Sequence, residues 1–463
     1  MLLEQFYLAC LSQASYLVAD AQSRRAVVVD PRRDIEEYLR YAADHELTIE
    51  LVLLTHVHAD FVPGFSELAA RTGATVAIGA EAPVDFPVRR LVDGEWLHLG
   101  DPRTGTALRV IATPGHTPES VTYAVFERGQ DSAPSAILTG DTLFIGDVGR
   151  PDLLGAVGQT PEDMARQLYR SLHTRLLDLP DGVLVYPGHG AGSACGKALS
   201  TETVSTMGEQ RSSNYALAPM DVEDFVRVVT EGLGEPPSYF AAEVALNRAG
   251  HEPLDTTFEP PSFAPAEAVA RGENGWLLLD VRDEQEFAAG HLRGSINVGL
   301  SGRFAEYAAA IAEPGQAIVV VGDPEQAREA RLRLARVGLD SVAGAVTDLG
   351  GLAAESHLTA PASRVTAVGA AALLASGAGL QVIDVRGPGE HADGALPGAV
   401  NLPLPRLRSL LDQIDRDLPV LVHCAGGYRS SVAASLLRAR GYDDVTDLIG
   451  GYTAWTERAT AGR

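Results

Sequence analysis

The second half of the chain carries the same pattern of residues twice, and this repeat limits the possible folds more than any other feature. Asp280-Val281-Arg282 opens the first copy and Asp384-Val385-Arg386 opens the second, at an offset of 384 − 280 = 104 residues. The residues that recur at the same offset are Glu286, Gly290, Gly294 and Asn297 in the first copy and Glu390, Gly394, Gly398 and Asn401 in the second. Such a period is too long for a solenoid unit and indicates a duplicated domain. Each copy alternates strand, turn, strand and helix, which predicts two α/β domains.

A proline-rich stretch separates the repeat from the first half of the chain. It runs from Glu252-Pro253 to Pro265 and is typical of an interdomain linker. Ahead of it, short β-branched runs such as residues 26–30 and 50–54 alternate with helical patterns, which favours sheets flanked by helices. At about 150 residues per domain, a chain of 463 residues predicts three domains. We expect them over residues 1–250, 262–358 and 362–463.

Charge and cysteine content restrict the partners and the compartment. The formal net charge of -24 argues against nucleic acid or an anionic membrane as the main partner. Cys10, Cys195 and Cys424 are far apart and odd in number, which favours a reducing cytosol over a disulfide framework. We find neither a signal-peptide pattern nor an apolar run of about 18 residues. We therefore expect a cytoplasmic enzyme, and a homo-oligomer because dimers are the commonest state of soluble enzymes.

Possible metal ligands follow four strand-like runs in the first half. These residues are His56, His58 and Asp60 after the first run, then His116, Asp141 and His189 after three later runs. Side chains just past a strand sit at the rim of a sheet, where ligands bind. One histidine at a strand end is more often structural, but imidazole and carboxylate donors after four strands predict a divalent metal site.

The order of these motifs (HxHxD, PGHT, TGDTLF and PGHG over about residues 1–215) resembles the metallo-β-lactamase superfamily. The resemblance implies an α/β fold: an αββα sandwich, here followed by the two repeats. Dinuclear zinc members of the superfamily carry HxHxDH, whose final histidine helps bind a second metal. Phe61 stands at that position and cannot be a ligand. This departure favours one metal over two.

The first domain is most similar to the persulfide dioxygenase branch of the superfamily. That resemblance implies one Fe(II) per chain, held by His56, His116 and Asp141. Two histidines and one carboxylate leave positions open for the substrate sulfur and O₂. His58, Asp60 and His189 are then expected near the metal, orienting its ligands or contacting the substrate. For His189 the alternative is a remnant of an ancestral second-metal position.

Two basic residues and a cysteine lie in further stretches that resemble this branch. Arg150 lies in a GRxD loop, where it pairs either with a carboxylate of the thiol carrier or with Asp152. Lys197 lies in the run from Gly188 to Lys197 and is expected to meet an anionic group of the substrate. Cys195, in the same run, is interpreted as a packed core thiol.

The last domain carries a cysteine loop between a strand and a helix. The apolar run 419–423 precedes Cys424, and Arg429 closes a C-x4-R loop rich in glycine. Backbone amides, the helix N-terminus and Arg429 are expected to stabilise negative charge on the cysteine sulfur. Rhodaneses and phosphatases both use such loops, but the DVRxxxE and GAxN elements resemble rhodaneses. The phosphatase HCx5R loop is also one residue longer.

The first copy lacks this chemistry. Its equivalent stretch contains no cysteine, and Asp323 and Glu325 oppose an anionic ligand while Pro324 removes an amide. We interpret residues 262–358 as an inactive rhodanese-like domain that acts as a spacer or docking surface.

The domain order resembles multidomain persulfide dioxygenase–sulfurtransferases of sulfide detoxification. It implies oxidation of a persulfide of glutathione or another low-molecular-weight thiol by O₂ to sulfite and thiol, with thiosulfate formed or used at Cys424. The alternative is a glyoxalase II-like zinc thioester hydrolase fused to a sulfurtransferase, which needs metal-activated water rather than an O₂ site. A scaffold protein with decayed sites is disfavoured because the motifs are intact.

Overall fold

The computed structural model describes residues 1–153, 159–350, 355–377 and 379–461, and the chain forms two compact units, Met1–Thr256 and Thr257–Arg463. The last two residues of the third predicted domain, 462–463, lie outside the described residues. The second unit contains both repeats. None of the helices described has the length and apolar character that crossing a membrane requires.

The first unit contains two six-stranded sheets. The first sheet has the order β1-β2-β3-β4-β5-β6, antiparallel from β1 to β3 and parallel from β3 to β6. Its strands are β1 Leu2–Leu8, β2 Gln13–Ala19, β3 Arg25–Val29, β4 Thr48–Leu53, β5 Thr75–Gly79 and β6 Arg89–Leu91. The second sheet has the order β12-β11-β10-β9-β8-β7, in which only β10 and β11 are parallel. Its strands are β7 Trp96–His98, β8 Ala107–Ala112, β9 Val121–Phe126, β10 Ala136–Gly140, β11 Leu184–Pro187 and β12 Ser205–Thr206.

Helices cover the outer face of each sheet. They are α1 Glu36–Asp44, α2 Phe65–Thr72, α3 Pro161–Ser171, α4 Met207–Ser213, α5 Val222–Thr230 and α6 Phe240–Ala249, with a π-helical turn at Leu172–Leu176 and a 3₁₀ turn at Tyr215–Leu217. Strand β2 is buried along its whole length because one face meets the other sheet and the opposite face meets helices. Side chains from both sheets, including Val18, Leu53 and Tyr123, form the central core. This arrangement confirms the predicted αββα sandwich.

The second unit consists of the two repeats, each built on a parallel sheet. In the first copy the sheet has the order β15-β13-β16-β17, and a small antiparallel pair, β14 with β18, lies beside it. Its elements are α7 Pro265–Glu273, β13 Leu277–Asp280, α8 Glu284–Ala289, β14 His291–Leu292, β15 Ile296–Asn297, α9 Phe304–Ile311, β16 Ile318–Val321, α10 Pro324–Ala335, β17 Val342–Val346 and β18 Thr359–Ala360.

The second copy repeats the same strand order with one strand added, as β19-β23-β22-β20-β21. Its elements are β19 Ser363–Val365, α11 Ala367–Ala375, β20 Gln381–Asp384, α12 Pro388–Ala392, β21 Ala399–Asn401, a 3₁₀ segment Leu404–Gln413, β22 Val420–His423, α13 Tyr428–Ala439, β23 Val445–Leu448 and α14 Gly451–Ala461. Strands β13, β15, β16 and β17 thus correspond to β20, β21, β22 and β23. The prediction of two duplicated α/β domains is confirmed.

Candidate metal centre and sulfur-transfer site

Four strands of the sandwich end at the candidate metal centre. Strand β4 leads into the loop that holds His56, while β8, β10 and β11 run in one direction and are followed by His116, Asp141 and His189. Because these strands end at the same edge of the sandwich, donors that are far apart in the sequence come together there.

His56, His116 and Asp141 form a buried group that fits a metal ion. One ligand atom from each lies within 4.8 Å of the others, and all three residues are 1% exposed. Asp141 Oδ2 is 3.9 Å from His56 Nε2 and 3.5 Å from His116 Nε2. His56 Nε2 and both Asp141 carboxylate oxygens have no hydrogen-bond partner. Buried polar atoms of this kind are costly unless a ligand satisfies them, so the donor set fits a divalent cation.

Neighbouring groups orient both imidazoles. The Nδ1 of His116 donates to the carbonyl oxygen of Arg150 at 2.9 Å, and the Nδ1 of His56 lies 2.9 Å from the hydroxyl of Thr55. The Asp30 carboxylate in turn accepts hydrogen bonds from the amide and hydroxyl of Thr55 at 2.8 and 2.7 Å. These contacts leave each Nε2 directed at Asp141, as metal ligation requires. Burial also lowers the pKa of His56 well below its ordinary range and lowers the pKa of His116. Both shifts favour the neutral imidazole, which is the form that binds a metal.

His58, Asp60 and His189 form a second group of donors within 4.8 Å of one another. His189 Nε2 lies 3.3 Å from Asp60 Oδ2, and His58 Nε2 lies 3.0 Å from Asp30. Burial alone would lower the pKa of His58, but the Asp30 carboxylate raises it. The fully buried ring of Phe61 packs against His58 at 4.3 Å between centroids and offers no ligand atom. This second group lies beside the first, with the His58 ring 4.2 Å from that of His56 and His189 Nε2 3.7 Å from Asp141 Oδ1.

Cys195 belongs both to the core and to the edge of the metal centre. It is 1% exposed and packs with Ala59, Phe144 and Phe240. Its sulfur also lies within 4.8 Å of ligand atoms of Asp141 and His189, which the interpretation as a core thiol did not anticipate. Burial raises the pKa of the Cys195 thiol well above its ordinary value, so the thiol is protonated at neutral pH.

Both basic residues expected at the substrate make contacts within the protein. Arg150 donates to the two carboxylate oxygens of Asp152 at 2.6 and 2.8 Å, which is the internal alternative. Lys197 Nζ donates to the carbonyl oxygen of Val228 at 2.7 Å and to that of Glu231, at the carboxyl end of α5. The Lys197 ammonium thus satisfies the last carbonyls of a helix, where partial negative charge accumulates, and its contact with an anionic group stays a prediction.

Sequence reasoning missed several residues that hold the metal-binding loop. The Nδ2 of Asn247, on α6, donates to the carbonyl oxygens of His58 and Phe61 at 2.9 and 2.8 Å. Glu119 accepts a hydrogen bond from the amide of Val57 at 2.9 Å. No local motif marks these residues, because each acts on the loop from a distant part of the sequence.

The Cys424 loop lies between β22 and α13. The amide of Gly427 donates to Cys424 Sγ at 3.1 Å, and the hydroxyl of Ser430 lies 3.6 Å from the sulfur. Gly427 has φ of 106°, a left-handed conformation that favours glycine. At the N-terminus of α13 the sulfur thus accepts one hydrogen bond, from the Gly427 amide, and its thiol faces the Ser430 oxygen as a donor.

Arg429 is tied to Glu390 rather than free to approach the sulfur. Its two Nη atoms each lie 2.7 Å from a Glu390 carboxylate oxygen. Burial acts to lower the pKa of Arg429, but the Glu390 carboxylate acts to raise it, and that pKa lies above its ordinary value. Arg429 in turn lowers the pKa of Glu390. The positive charge that the sequence suggested for this loop is therefore largely balanced.

The first copy retains the frame of the site without its thiol. Arg282 pairs with Asp280 just as Arg386 pairs with Asp384. Directly after β16, where β22 is followed by the cysteine, the chain has Gly322 and then Asp323. The Asp323 carboxylate accepts hydrogen bonds from the amides of Glu325 and Gln326, both at 2.8 Å. The amides that would face an anion are already used.

Known proteins resemble each half of the chain. The rhodanese-like domain family model matches residues 264–348 and 367–458, and the metallo-beta-lactamase superfamily model matches residues 8–189. A beta-lactamase hydrolase-like protein of Agrobacterium fabrum is 34% identical over 239 residues, which cover 46% of this chain and 52% of that protein. The chain thus spans about half the length of such relatives.

Two further proteins match over most of their own length. The persulfide dioxygenase ETHE1, mitochondrial, of Bos taurus is 30% identical over 262 residues, covering 54% of this chain and 89% of that protein. The crystal structure of a metallo-beta-lactamase from Staphylococcus aureus subsp. aureus COL is 30% identical, with a TM-score of 0.67, and the match covers 75% of this chain and 98% of that one. The chain therefore belongs to the metallo-beta-lactamase superfamily, with a first domain homologous to persulfide dioxygenase ETHE1 followed by two rhodanese-like domains.

Proposed function

We propose that residues 1–250 form an iron dioxygenase that oxidises the persulfide of a low-molecular-weight thiol, such as glutathione, to sulfite and the free thiol. The observation that carries the proposal is the buried group of His56, His116 and Asp141, whose unpartnered atoms face one another. Two imidazoles and one carboxylate are typical of Fe(II) sites that leave positions open for substrates. The balanced reaction is RSSH + O₂ + H₂O → RSH + SO₃²⁻ + 2H⁺.

The residues around this group have separate tasks. A bound Fe(II) would supply the point at which the persulfide sulfur and O₂ meet. Thr55 and the Arg150 carbonyl keep the two imidazoles turned toward that point. The buried ring of Phe61 packs on His58 and keeps one side of the site apolar, which excludes water from it.

We further propose that residues 362–463 transfer sulfur through Cys424, and that residues 262–358 perform no transfer because they contain no thiol. The Cys424 thiolate attacks the outer sulfur of a thiol persulfide, the S–S bond of that persulfide breaks, the thiol leaves, and Cys424 becomes a cysteine persulfide. Sulfite then attacks the outer sulfur, thiosulfate leaves, and the Cys424 thiolate is regenerated. The amide of Gly427 stabilises negative charge on the cysteine sulfur. No disulfide joins Cys10, Cys195 or Cys424 in the part of the chain that the structure describes, which supports a reducing compartment, so we place this activity in the cytoplasm.

Metal content and O₂ uptake test the first proposal. After anaerobic isolation we expect about one iron per chain and O₂ uptake with glutathione persulfide. His116→Ala and Asp141→Asn should lose both properties, whereas His45→Ala, at the carboxyl end of α1, should keep both. Two zinc ions per chain without O₂ uptake would refute the proposal.

The second donor group supports one rival function. His58, Asp60 and His189 lie close enough together to hold a second ion, as a dinuclear zinc thioester hydrolase requires. Hydrolysis of S-lactoylglutathione by the zinc-loaded protein, at a rate far above that of the iron-loaded protein, would favour this rival. We expect no such hydrolysis, because Phe61 removes a ligand from that second position.

A single substitution separates the two proposed activities. Cys424→Ser should abolish sulfur exchange between thiosulfate and sulfite and leave O₂ uptake unchanged. Cys10→Ser, which removes a thiol from the first unit, serves as the matched control and should retain exchange. Loss of both activities in Cys424→Ser would contradict this division of labour.

A further inference from the structure

The helix that follows the Cys424 loop packs directly on the first rhodanese-like copy. In α13, the Ser431 hydroxyl donates to the side-chain oxygen of Asn297 at 2.9 Å. The hydroxyl oxygen of Ser435 accepts a hydrogen bond from the backbone amide of Asn297, also at 2.9 Å. All three residues are buried. The side chain of Asn297 also donates to the carbonyl oxygens of Asp280 and Arg282. The cysteine-free copy is therefore fixed to the helix whose N-terminus forms the active loop.

A tyrosine within the loop also reaches the first copy. Tyr428 lies in the C-x4-R loop and donates its hydroxyl to the carbonyl oxygen of Gly299 at 2.5 Å. The Gly299 segment is held from the other side by Arg333, whose Nη2 donates to the carbonyl oxygen of Gly302 at 2.8 Å. The first copy thus provides a fixed surface against which the loop of the second copy rests.

Helix α9 of the first copy presents a second tyrosine at this surface. The rings of Tyr307 and Tyr428 lie 5.6 Å apart between centroids and are tilted by 43°. The hydroxyl of Tyr307 has no hydrogen-bond partner among the residues that the structure describes, and its side chain is only partly buried. Burial raises the pKa of the Tyr307 hydroxyl, and the Arg429 guanidinium acts to lower it. Tyr307 therefore carries a protonated, unused donor beside Tyr428, a residue of the Cys424 loop.

The charges at the loop explain why such a donor is useful. Arg429 is balanced by Glu390, and Arg386 is balanced by Asp384. Neither guanidinium is free to give its full charge to an incoming anion. A small sulfur oxyanion at Cys424 must then be held mainly by neutral donors, which are the loop amides and a hydroxyl of suitable position.

We propose that Tyr307, supplied by the first rhodanese-like copy, contacts the substrate at Cys424 by donating its hydroxyl to an oxygen of a small sulfur oxyanion such as thiosulfate. The inference rests on the proposed sulfur transfer for its biological meaning. It gives the cysteine-free copy a direct part in substrate binding, beyond that of a spacer.

The binding contact is tested by protection of Cys424 in the full chain. Sulfate, in which an oxygen replaces the transferable sulfur of thiosulfate, is titrated against alkylation of Cys424 by iodoacetamide at constant ionic strength, and the Cys424 peptide is quantified by mass spectrometry. In Tyr307→Phe, we expect the half-protecting sulfate concentration to rise about 3- to 10-fold, as the loss of one hydrogen bond predicts. Tyr442→Phe loses a hydroxyl that donates to the Leu411 carbonyl and should match the wild type.

A kinetic measurement complements the protection experiment. With thiosulfate as donor and cyanide as acceptor, Tyr307→Phe should raise KM for thiosulfate by a similar factor and change kcat less than about twofold. Equal protection of Tyr307→Phe and the wild type would overturn the inference, as would a wild type that sulfate does not protect. A protein that binds sulfate through Tyr307 but transfers no sulfur would refute the proposed function and leave the contact established.

Discussion

Asn247 donates a hydrogen bond to the carbonyl oxygen of His58 at 2.9 Å, although 189 residues separate the two in the chain. The same amide group reaches the carbonyl oxygen of Phe61, so one side chain of α6 fixes the middle and the end of the HxHxDF segment. The geometry of the metal-binding loop thus depends on the last helix of the first unit.

Replacement of Asn247 by alanine should loosen the metal-binding loop. Two buried carbonyl groups lose their donor, which costs about 1–3 kcal/mol in the free energy of unfolding of the first unit. Metal affinity should fall about 10- to 100-fold, as for other supporting residues of metal sites. Chemical denaturation and metal titration measure these changes. Asn274→Ala, which removes an amide bonded to the exposed Ala270 carbonyl, should leave metal affinity unaltered.

Alanine at Gly149 should damage the metal centre by steric conflict. A Cβ at this position would lie 1.9 Å from the carbonyl oxygen of Asp141 and 2.8 Å from His116 Nδ1. Asp141 and His116 must then move, and we expect iron content to fall below about a tenth of the wild-type value, with a loss of about 3 kcal/mol in stability. Gly182→Ala is the control, since a Cβ there meets no atom within 4 Å. Normal iron content in Gly149→Ala would show that the loop tolerates this displacement.

Introduction of histidine at position 61 should change the metal stoichiometry. The Phe61 ring lies beside His58 and 6.5 Å from His189, between centroids. Phe61→His adds an imidazole to the second donor group, so we expect a second zinc ion to bind where the wild type binds one metal. Elemental analysis after zinc loading measures the ratio. Phe61→Leu keeps the position apolar, so we expect this variant to bind one metal ion per chain. Two ions bound to Phe61→Leu would show that Phe61 does not determine the number of metal ions.

The second unit should lose stability as the pH falls from 7 to 5. Burial lowers the pKa of His423 and of His291 to about 4, whereas an unfolded histidine titrates near 6.5. Between these values the unfolded chain binds more protons than the folded one, so protonation favours unfolding by about 2 kcal/mol per histidine at pH 5. Urea unfolding at both pH values tests this. The His291→Gln variant lacks one of these titrating groups. Its free energy of unfolding should therefore decrease between pH 7 and pH 5 by about 2 kcal/mol less than that of the wild type.

The fold and the clustering of the candidate metal ligands could be predicted because their signals are local. Each donor follows its own strand within a few residues, and the duplicated DVR motif shows the register of both copies directly. The contacts of Arg150, Lys197 and Arg429 could not be read in the same way. A basic residue in a loop suits a substrate anion, a carboxylate and a helix terminus equally well. Only the folded chain brings Glu390 to Arg429, or the end of α5 to Lys197.

The metal-binding loop shows a second limit of prediction from sequence, which concerns the residues that support it. Its motif predicts which atoms bind the metal, but the groups that hold the motif in place, Asn247 and Glu119 among them, come from distant segments without a recognisable pattern. Cys195 illustrates how two interpretations can both apply. The prediction of a buried thiol agrees with its packing, yet the fold also places the sulfur beside Asp141 and His189.

The carboxylate of Asp323 has a consequence for any attempt to revive the first copy. It binds the amides of Glu325 and Gln326 and so acts as a built-in competitor, tethered where an external anion would have to enter. The substrate of a cysteine installed at Gly322 would have to displace the Asp323 carboxylate from these two amides. Recovery of a cysteine loop in the first copy therefore calls for at least two coordinated changes, a thiol at position 322 and removal of the carboxylate at position 323.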